Sequence, residues 1–134
     1  MAAVEGIAGA DALLGRPFPL PSVPLPLTRW VEVRAVGKGA EVEWNLDDSR
    51  PDTPGRLALY AGLAVEPSQL SPQATETRTP EGWTVRSEPL DAAQESLRPV
   101  IEVMWNIAEV HLRLTGQGPW TLDQILVIAR SVAV

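Results

Sequence analysis

Few residues of this chain could do chemistry, and the first to consider is His111, its only histidine. Nucleophilic sites of the Ser–His–Asp or Cys–His type would need this imidazole as their base. His111 alternates with Val110 and Leu112, which places it on the polar face of a predicted strand beside Arg113. A surface position accounts for this pattern better than catalysis does. We therefore predict no catalytic residue and no enzymatic activity.

Metal ions and phosphate groups find no clear ligands in the sequence. With one histidine and no cysteine, a zinc site is not expected. Three aspartates within 47–52 could suggest calcium, but their spacing does not match an EF-hand loop. Residues 37–39 (Gly-Lys-Gly) lack the spacing of a phosphate-binding loop. The sequence predicts neither a metal nor a cofactor.

Tryptophan offers the best candidate for a binding site. The chain has five Trp, one Tyr and one Phe, and most of the Trp residues fall on or beside predicted strands. One interpretation is an aromatic-lined ligand pocket between a sheet and a helix. The other, which we favour, is that the rings fill space in the core. The four candidate pocket residues are Trp44, Trp83, Trp105 and Trp120.

The C-terminal part of the chain must position most of these side chains. Large apolar residues occupy alternate positions over 101–106 and again over 110–115. Period two is the mark of a strand with one buried face. A helical stripe also fits 97–112, so a helix remains the alternative there. Pro99 and the dense β-branched residues favour two strands.

A helix is predicted over 121–133. Thr121 and Gln124 have the spacing of a capping box, and Trp120 and Ile125 that of a hydrophobic staple. The predicted apolar face consists of Leu122, Ile125, Leu126, Ala129, Val132 and Ala133. An amphipathic helix directly after a strand pair is the nearest cover for the apolar side of those strands.

The distribution of apolar residues predicts four earlier strands, over 30–36, 41–46, 56–65 and 82–87. The first two read as a hairpin with one polar face. The third is apolar on both faces and should be central. Residues 66–81 contain almost no large apolar residue, which predicts a long, mobile loop.

The N-terminal segment is predicted to be a short helix followed by an extended strap. Residues 2–14 suit a weak helix that Gly15 could end. In 16–27, five prolines alternate with apolar residues, a pattern that requires extended backbone. This strap could be a ligand for a proline-binding domain. We favour packing on the protein's own core, because so much aliphatic surface is unusual in a free ligand peptide.

Length and charge limit the classes of protein further. At 134 residues, the chain is expected to form one domain over 1–134, with the helix and strap in 1–27 and a sheet plus helix in 28–134. The net charge of −6 argues against nucleic acid and against an anionic membrane surface. No apolar run is long enough to span a membrane.

The composition also leads to expectations about the cellular compartment of the protein and about its source organism. The N-terminus lacks the basic start of a secretory signal, and Glu5 and Asp11 interrupt its apolar stretch. The chain is therefore expected to be soluble and cytoplasmic. Its basic residues are almost all arginine, which is associated with bacterial genomes rich in G and C.

The C-terminal pattern resembles that of a known group of domains. The strand at 110–116 (VHLRLTG) and the helical sequence at 120–132 (WTLDQILVIARSV) are similar to the end of small α+β domains attached to bacterial anti-sigma-factor-like and envelope sensor proteins. The resemblance implies a regulatory or sensor role. It assigns no functional residue.

The fold expected from all of this is α+β, with an antiparallel sheet of about five or six strands and the C-terminal helix packed on one face. The function expected is that of a non-enzymatic interaction or sensor-type domain with a protein partner. The alternative is a small-ligand-binding protein or small enzyme with a Trp-lined pocket. A meandering sheet leaves an open edge, so a homodimer and a monomer both remain open.

Overall fold

The computed structural model describes residues 9–23, 30–45, 56–65, 70, 74–88, 100–117 and 120–133. Within these ranges the chain forms two helices and nine strands. They are α1 (9–14), β1 (Leu20–Pro21), β2 (Trp30–Val36), β3 (Gly39–Asn45), β4 (Arg56–Gly62), β5 (Thr75–Arg78), β6 (Thr84–Glu88), β7 (Val100–Ile107), β8 (Val110–Gln117), α2 (Leu122–Ser131) and β9 (Val132–Ala133).

Seven of the described strands form one antiparallel sheet in the order β2-β3-β4-β8-β7-β6-β5. The chain runs from the β2 edge inward to β4, restarts at the β5 edge, and returns inward to β8. Strands β4 and β8 therefore meet at the centre, with Leu59 opposite Leu114. Neighbouring strands pair residue for residue, so side chains in one row across the sheet share a face.

One side of the sheet, the helix face, carries the apolar core. Its middle row consists of Val42, Leu59, Leu114 and Val103, each fully buried. Each buried Val or Leu contributes about 1.5–3 kcal/mol to folding. The same cluster contains buried residues of α1, of the strap and of α2, namely Ala10, Leu14, Phe18, Ile125, Leu126, Ile128 and Ala129.

The capping predicted for the C-terminal helix is present. The Thr121 side chain accepts from Gln124 N at 3.1 Å, and the Gln124 side chain accepts from Thr121 N at 2.9 Å. Gly116 of β8 lets α2 approach the sheet, because a Cβ there would lie 2.5 Å from Ile125 Cδ1 and 3.0 Å from Trp120 Cδ1. Both side chains of the predicted staple thus pack at Gly116.

Replacing Thr121 with alanine is expected to lower the free energy of unfolding by about 1 kcal/mol. The substitution removes the acceptor for Gln124 N and leaves one helix N–H without its partner. Chemical unfolding followed by circular dichroism measures the change. Serine at position 121 is the control and should retain most of the stability. Equal losses with alanine and serine would assign the effect to the methyl group instead.

The strap packs on the protein's own core in its described part, 16–23. Gly15 ends α1 with φ 81° and donates from its N–H to Asp11 O at 2.9 Å. Phe18 is buried, and β1 pairs with β9 so that Leu20 lies opposite Ala133. These contacts agree with the structural interpretation of the strap. The rest of the predicted strap and helix, and the acidic stretch at 47–52, lie outside the described residues.

Three expectations need correction. The sheet has seven described strands, not five or six, because β5 forms within the segment predicted as a loop and pairs with β6. The helix ends at Ser131, and Val132 and Ala133 form β9 instead of its last turn. Leu122, placed on the apolar face, is 39% exposed, whereas Ile128, not predicted there, is buried.

Neither helix in the described part of the chain has the length and apolar character required to cross a membrane.

Candidate functional site

The side of the sheet opposite the helix face, here called the polar face, carries charged residues in an ordered pattern. One row runs Arg34, Glu41, Tyr60, Arg113, Met104, Thr84 and Arg78 from the β2 edge to the β5 edge. The next row contains Glu32, Glu43, Ala58, Thr115, Glu102, Arg86 and Glu76. Glu41, Glu102 and Arg113 are nevertheless buried. The face of the β2–β3 hairpin that was predicted to be exposed to solvent is therefore partly buried.

An ion-pair network crosses this face. Glu41 accepts from Arg34 Nη1 at 2.9 Å and from Arg113 Nη2 at 3.2 Å, and so joins an edge strand to the sheet centre. Arg34 also donates to Glu43 at 2.9 Å. The Arg113 guanidinium lies 5.4 Å from the centre of the Tyr60 ring. Charge pairing and the cation–π contact together compensate for the desolvation of the Arg113 side chain.

A cavity of about 360 Å³, here called the end cavity, opens where β4 and β7 end and β6 and β8 begin. Its wall combines aromatic, cationic, amide and hydroxyl groups. The lining residues are Tyr60, Val65, Arg78, Glu81, Gly82, Trp83, Thr84, Met104, Trp105, Asn106, His111, Leu112 and Arg113. The volume is at the lower end of the 300–1,000 Å³ typical of small-molecule sites.

Hydrogen bonds fix several groups of this wall. The Tyr60 hydroxyl donates to Ala64 O at 2.8 Å, and Trp83 N donates to the Thr79 hydroxyl at 3.2 Å. Gly82 N donates to Thr79 O at 2.9 Å and closes the turn between β5 and β6. A wall held by its own bonds is formed before any ligand arrives, which reduces the entropy lost on binding.

A second cavity of about 350 Å³ lies on the polar face toward the other end of the strands. Its lining residues are Arg34, Glu41, Glu43, Arg56, Ala58, Thr115 and Gln117. The Glu41–Arg113 pair stands between the two cavities, because each residue lines a different one. The second cavity is lined mainly by charged groups that already bond to one another, and it offers no aromatic surface.

The four candidate Trp residues separate into two groups. Trp83 and Trp105 stack with ring centroids 5.1 Å apart and 21° between their planes, and both line the end cavity. Trp44 is buried in the core on the helix face, in the row of Leu57. Trp120 packs against that core and donates from Nε1 to Arg56 O at 3.2 Å. Ligand binding by these four residues stays a prediction.

The end cavity also gathers residues that the sequence did not single out for binding. His111, at its rim, is partly exposed on the polar face, as expected, and lies opposite Asn106. Tyr60 and Arg113, which no motif marks, lie opposite each other at its base. Trp105 is 6% exposed, and its buried Nε1 has no hydrogen-bond partner among the described residues. The only signal in the sequence for Tyr60 and Arg113 was that each carries a polar group within a strand that is buried on both sides.

The turn that forms one side of the end cavity is bonded to α2. Arg130 donates to Glu81 through Nε at 2.6 Å and through Nη2 at 3.1 Å. The side-chain hydrogen bonds from Arg130, assisted by a backbone hydrogen bond, lower the pKa of Glu81 from 4.5 to about 2. The cavity and the helix on the other side of the sheet are thus directly connected.

Acid is expected to weaken this connection. Because the pKa of Glu81 is lower in the folded protein than in the unfolded chain, its stabilising effect is complete above pH 4.5 and is lost as the pH falls toward 2. Chemical unfolding midpoints measured between pH 6 and pH 2.5 should fall less in Glu81→Gln than in the native protein. Glu76→Gln, on the same hairpin, is the control. Parallel curves for the native protein and Glu81→Gln would contradict the assignment.

No family model, curated protein or solved structure matches this chain. The resemblance to domains of anti-sigma-factor-like and envelope sensor proteins therefore stays a prediction. Among the described residues, no group of three or more His, Cys, Asp or Glu side chains is placed to hold a metal ion.

Proposed function

We propose that this protein is a non-enzymatic, sensor-type domain that binds a small organic acid in the end cavity. The observation that supports this most strongly is a preformed cavity of about 360 Å³ that combines a stacked Trp pair with Arg78, which has no carboxylate partner among the described residues. The proposal favours a small-molecule ligand over a protein partner for this site, since the cavity is concave and of metabolite size.

Charge in the wall selects an acidic ligand. Glu81 is paired with Arg130, and Arg113 is paired with Glu41. Among the described Arg and Glu side chains of the wall, Arg78 alone has no carboxylate partner; it donates only to Gly82 O, at 3.3 Å. A guanidinium at a partly enclosed site binds a planar carboxylate well, because its N–H groups match the two carboxylate oxygens.

Apolar surface in the wall suits a flat ligand body. Tyr60, Trp83, Trp105 and Met104 give the cavity aromatic and thioether surface close to its polar groups. Aromatic rings and methionine contact planar organic molecules favourably. An aromatic carboxylate would present one charged end to Arg78 and an apolar ring to this surface.

The link between cavity and helix supports a sensor role. Arg78 and Gly82 line the cavity on either side of the turn that carries Glu81, and Glu81 bonds to Arg130 of α2. A ligand that moves Arg78 therefore acts on the segment that anchors α2. Two polar groups of the wall, those of Tyr60 and Arg113, are held by bonds to Ala64 O and to Glu41, which suits a role in binding.

A titration with aromatic carboxylates tests the proposal. Trp fluorescence is recorded while benzoate, phenylacetate and indole-3-acetate are added separately, since the stacked Trp83 and Trp105 report on the cavity. At least one acid is expected to bind saturably, and Arg78→Gln is expected to weaken that binding about tenfold or more, the loss of one charge-assisted contact. Arg56→Gln is the matched control, because Arg56 lines the second cavity and not the end cavity. Equal effects of the two variants, or no saturable binding by any acid, would contradict the proposal.

A further inference from the structure

Among the described strands, β2 forms one edge of the sheet, and it has the features of a strand that pairs with another chain. It contains seven residues without proline, and it pairs with β3 residue for residue, with no bulge. Long, regular edges of this kind present a free row of backbone N–H and C=O groups. The other edge, β5, has only four residues, all exposed.

The register identifies which backbone groups of β2 point away from β3. The two-residue turn at Gly37 and Lys38 makes Val36 and Gly39 a hydrogen-bonded pair, and such pairs recur at every second residue. The bond from Leu63 N to Lys38 O, at 3.3 Å, agrees with this alternation. The outward-facing backbone groups of β2 therefore belong to Val31, Val33 and Ala35.

We propose that two copies of this chain associate through β2, antiparallel about a two-fold axis at Val33. In this register Val33 lies opposite Val33 of the second copy, and Val31 lies opposite Ala35. Since these residues carry the outward-facing groups, the pairing forms about six backbone hydrogen bonds. The two seven-stranded sheets then become one continuous sheet.

Charge on the polar face is self-complementary in this register. Glu32 of each copy lies opposite Arg34 of the other, at the non-hydrogen-bonded positions where opposing side chains are closest. The Glu32 side chain is 57% exposed, and its contact with Arg34 within the chain is 3.4 Å long. Arg34 is 37% exposed and already held in an extended position by Glu41 and Glu43. Each copy thus presents the Glu32 carboxylate and the fixed Arg34 guanidinium to the other copy.

The helix face of β2 supplies apolar surface to the same interface. Val31 and Val33 are only partly buried and extend the core cluster to the edge of the sheet. Ala35, opposite Val31 in the proposed register, is exposed. Strand β5 offers no such surface, because all four of its residues are polar or charged. Apolar contact on one face and paired charges on the other select β2 over β5.

Sedimentation velocity of the full chain over a range of concentrations tests the proposal. The native protein is expected to sediment as a dimer, and Glu32→Lys, which places a lysine opposite Arg34, is expected to raise the dimer dissociation constant about tenfold or more. Glu76→Lys makes the same change on the β5 edge and is expected to leave the dimer intact. A monomer at every concentration, or a dimer weakened by Glu76→Lys and not by Glu32→Lys, would overturn the proposal.

Amide hydrogen exchange supplies a second, independent measurement. The amides of Glu32 and Arg34 should be protected at all protein concentrations, because they bond to β3. Those of Val31, Val33 and Ala35 should become protected only as the dimer forms. Concentration-independent exchange at these three amides in a dimeric sample would show that the copies associate elsewhere.

Discussion

Replacing Glu41 with leucine is expected to lower the free energy of unfolding by about 3–5 kcal/mol, the loss typical when one partner of a buried ion pair is removed. Glu41 is 7% exposed and accepts from Arg34 and from Arg113, which is itself 2% exposed. Without the Glu41 carboxylate, the buried Arg113 charge is less well compensated. Urea unfolding followed by Trp fluorescence measures the loss.

Two further variants separate this effect from a general loss of charge. Glu43→Leu removes the next carboxylate along the same face, but its partners Arg34 and Arg56 are more exposed, so a loss of about 1 kcal/mol is expected. The double variant Glu41→Leu, Arg113→Leu should regain most of the stability lost in Glu41→Leu, since both charges are then absent. If Glu41→Leu and Glu43→Leu lose equal amounts of stability, the loss in Glu41→Leu does not come from the buried Arg113 charge.

Replacing Gly39 with alanine is expected to lower the free energy of unfolding by about 3 kcal/mol, at the upper end of the range for overpacking. A Cβ at this position would lie 2.1 Å from Ala61 O and 2.5 Å from the Gly62 Cα. Both are backbone atoms of the neighbouring strand, so β3 and β4 must separate to accommodate the methyl group. Chemical unfolding by urea again measures the change.

Gly9 provides the matched control for this substitution. It lies in α1, and a Cβ there meets nothing within 4 Å. Gly9→Ala should therefore increase stability by up to about 1 kcal/mol, through helix propensity alone. If Gly39→Ala unfolds at the same urea concentration as the native protein, β3 and β4 do not approach each other as closely at Gly39 as described.

Much of the fold follows from local sequence patterns. Alternation correctly predicted the strands over 100–117 against the helical alternative, because their apolar side faces a continuous core. The capping box correctly predicted the start of α2. Strand β5 could not be predicted, since its sequence TETR is wholly exposed at an edge and carries no hydrophobic period. Its formation depends on the pairing partner β6.

The candidate site was far less predictable than the fold. The end cavity depends on the register that sets Tyr60 opposite Arg113, residues far apart in the chain. Local periodicity assigned Tyr60 to a central strand but could not show which residue it would meet. The sequence named Trp83 and Trp105 among four candidates, but it could not show that these two rings stack in one wall of the end cavity. Trp44 and Trp120 have the same local pattern but do not line the end cavity.

Backbone chemical-shift mapping tests most directly the proposal that the end cavity, not the space beneath the helix, holds the ligand. The ¹⁵N-labelled protein is titrated with the tightest-binding of the three aromatic acids. The largest shift changes are expected at the residues of the end cavity, around 78–84, 104–106 and 111–113, and Arg78→Gln should reduce them. Changes concentrated instead at Trp44, Gly116, Trp120 and the inner face of α2 would place the ligand between sheet and helix and contradict the proposal.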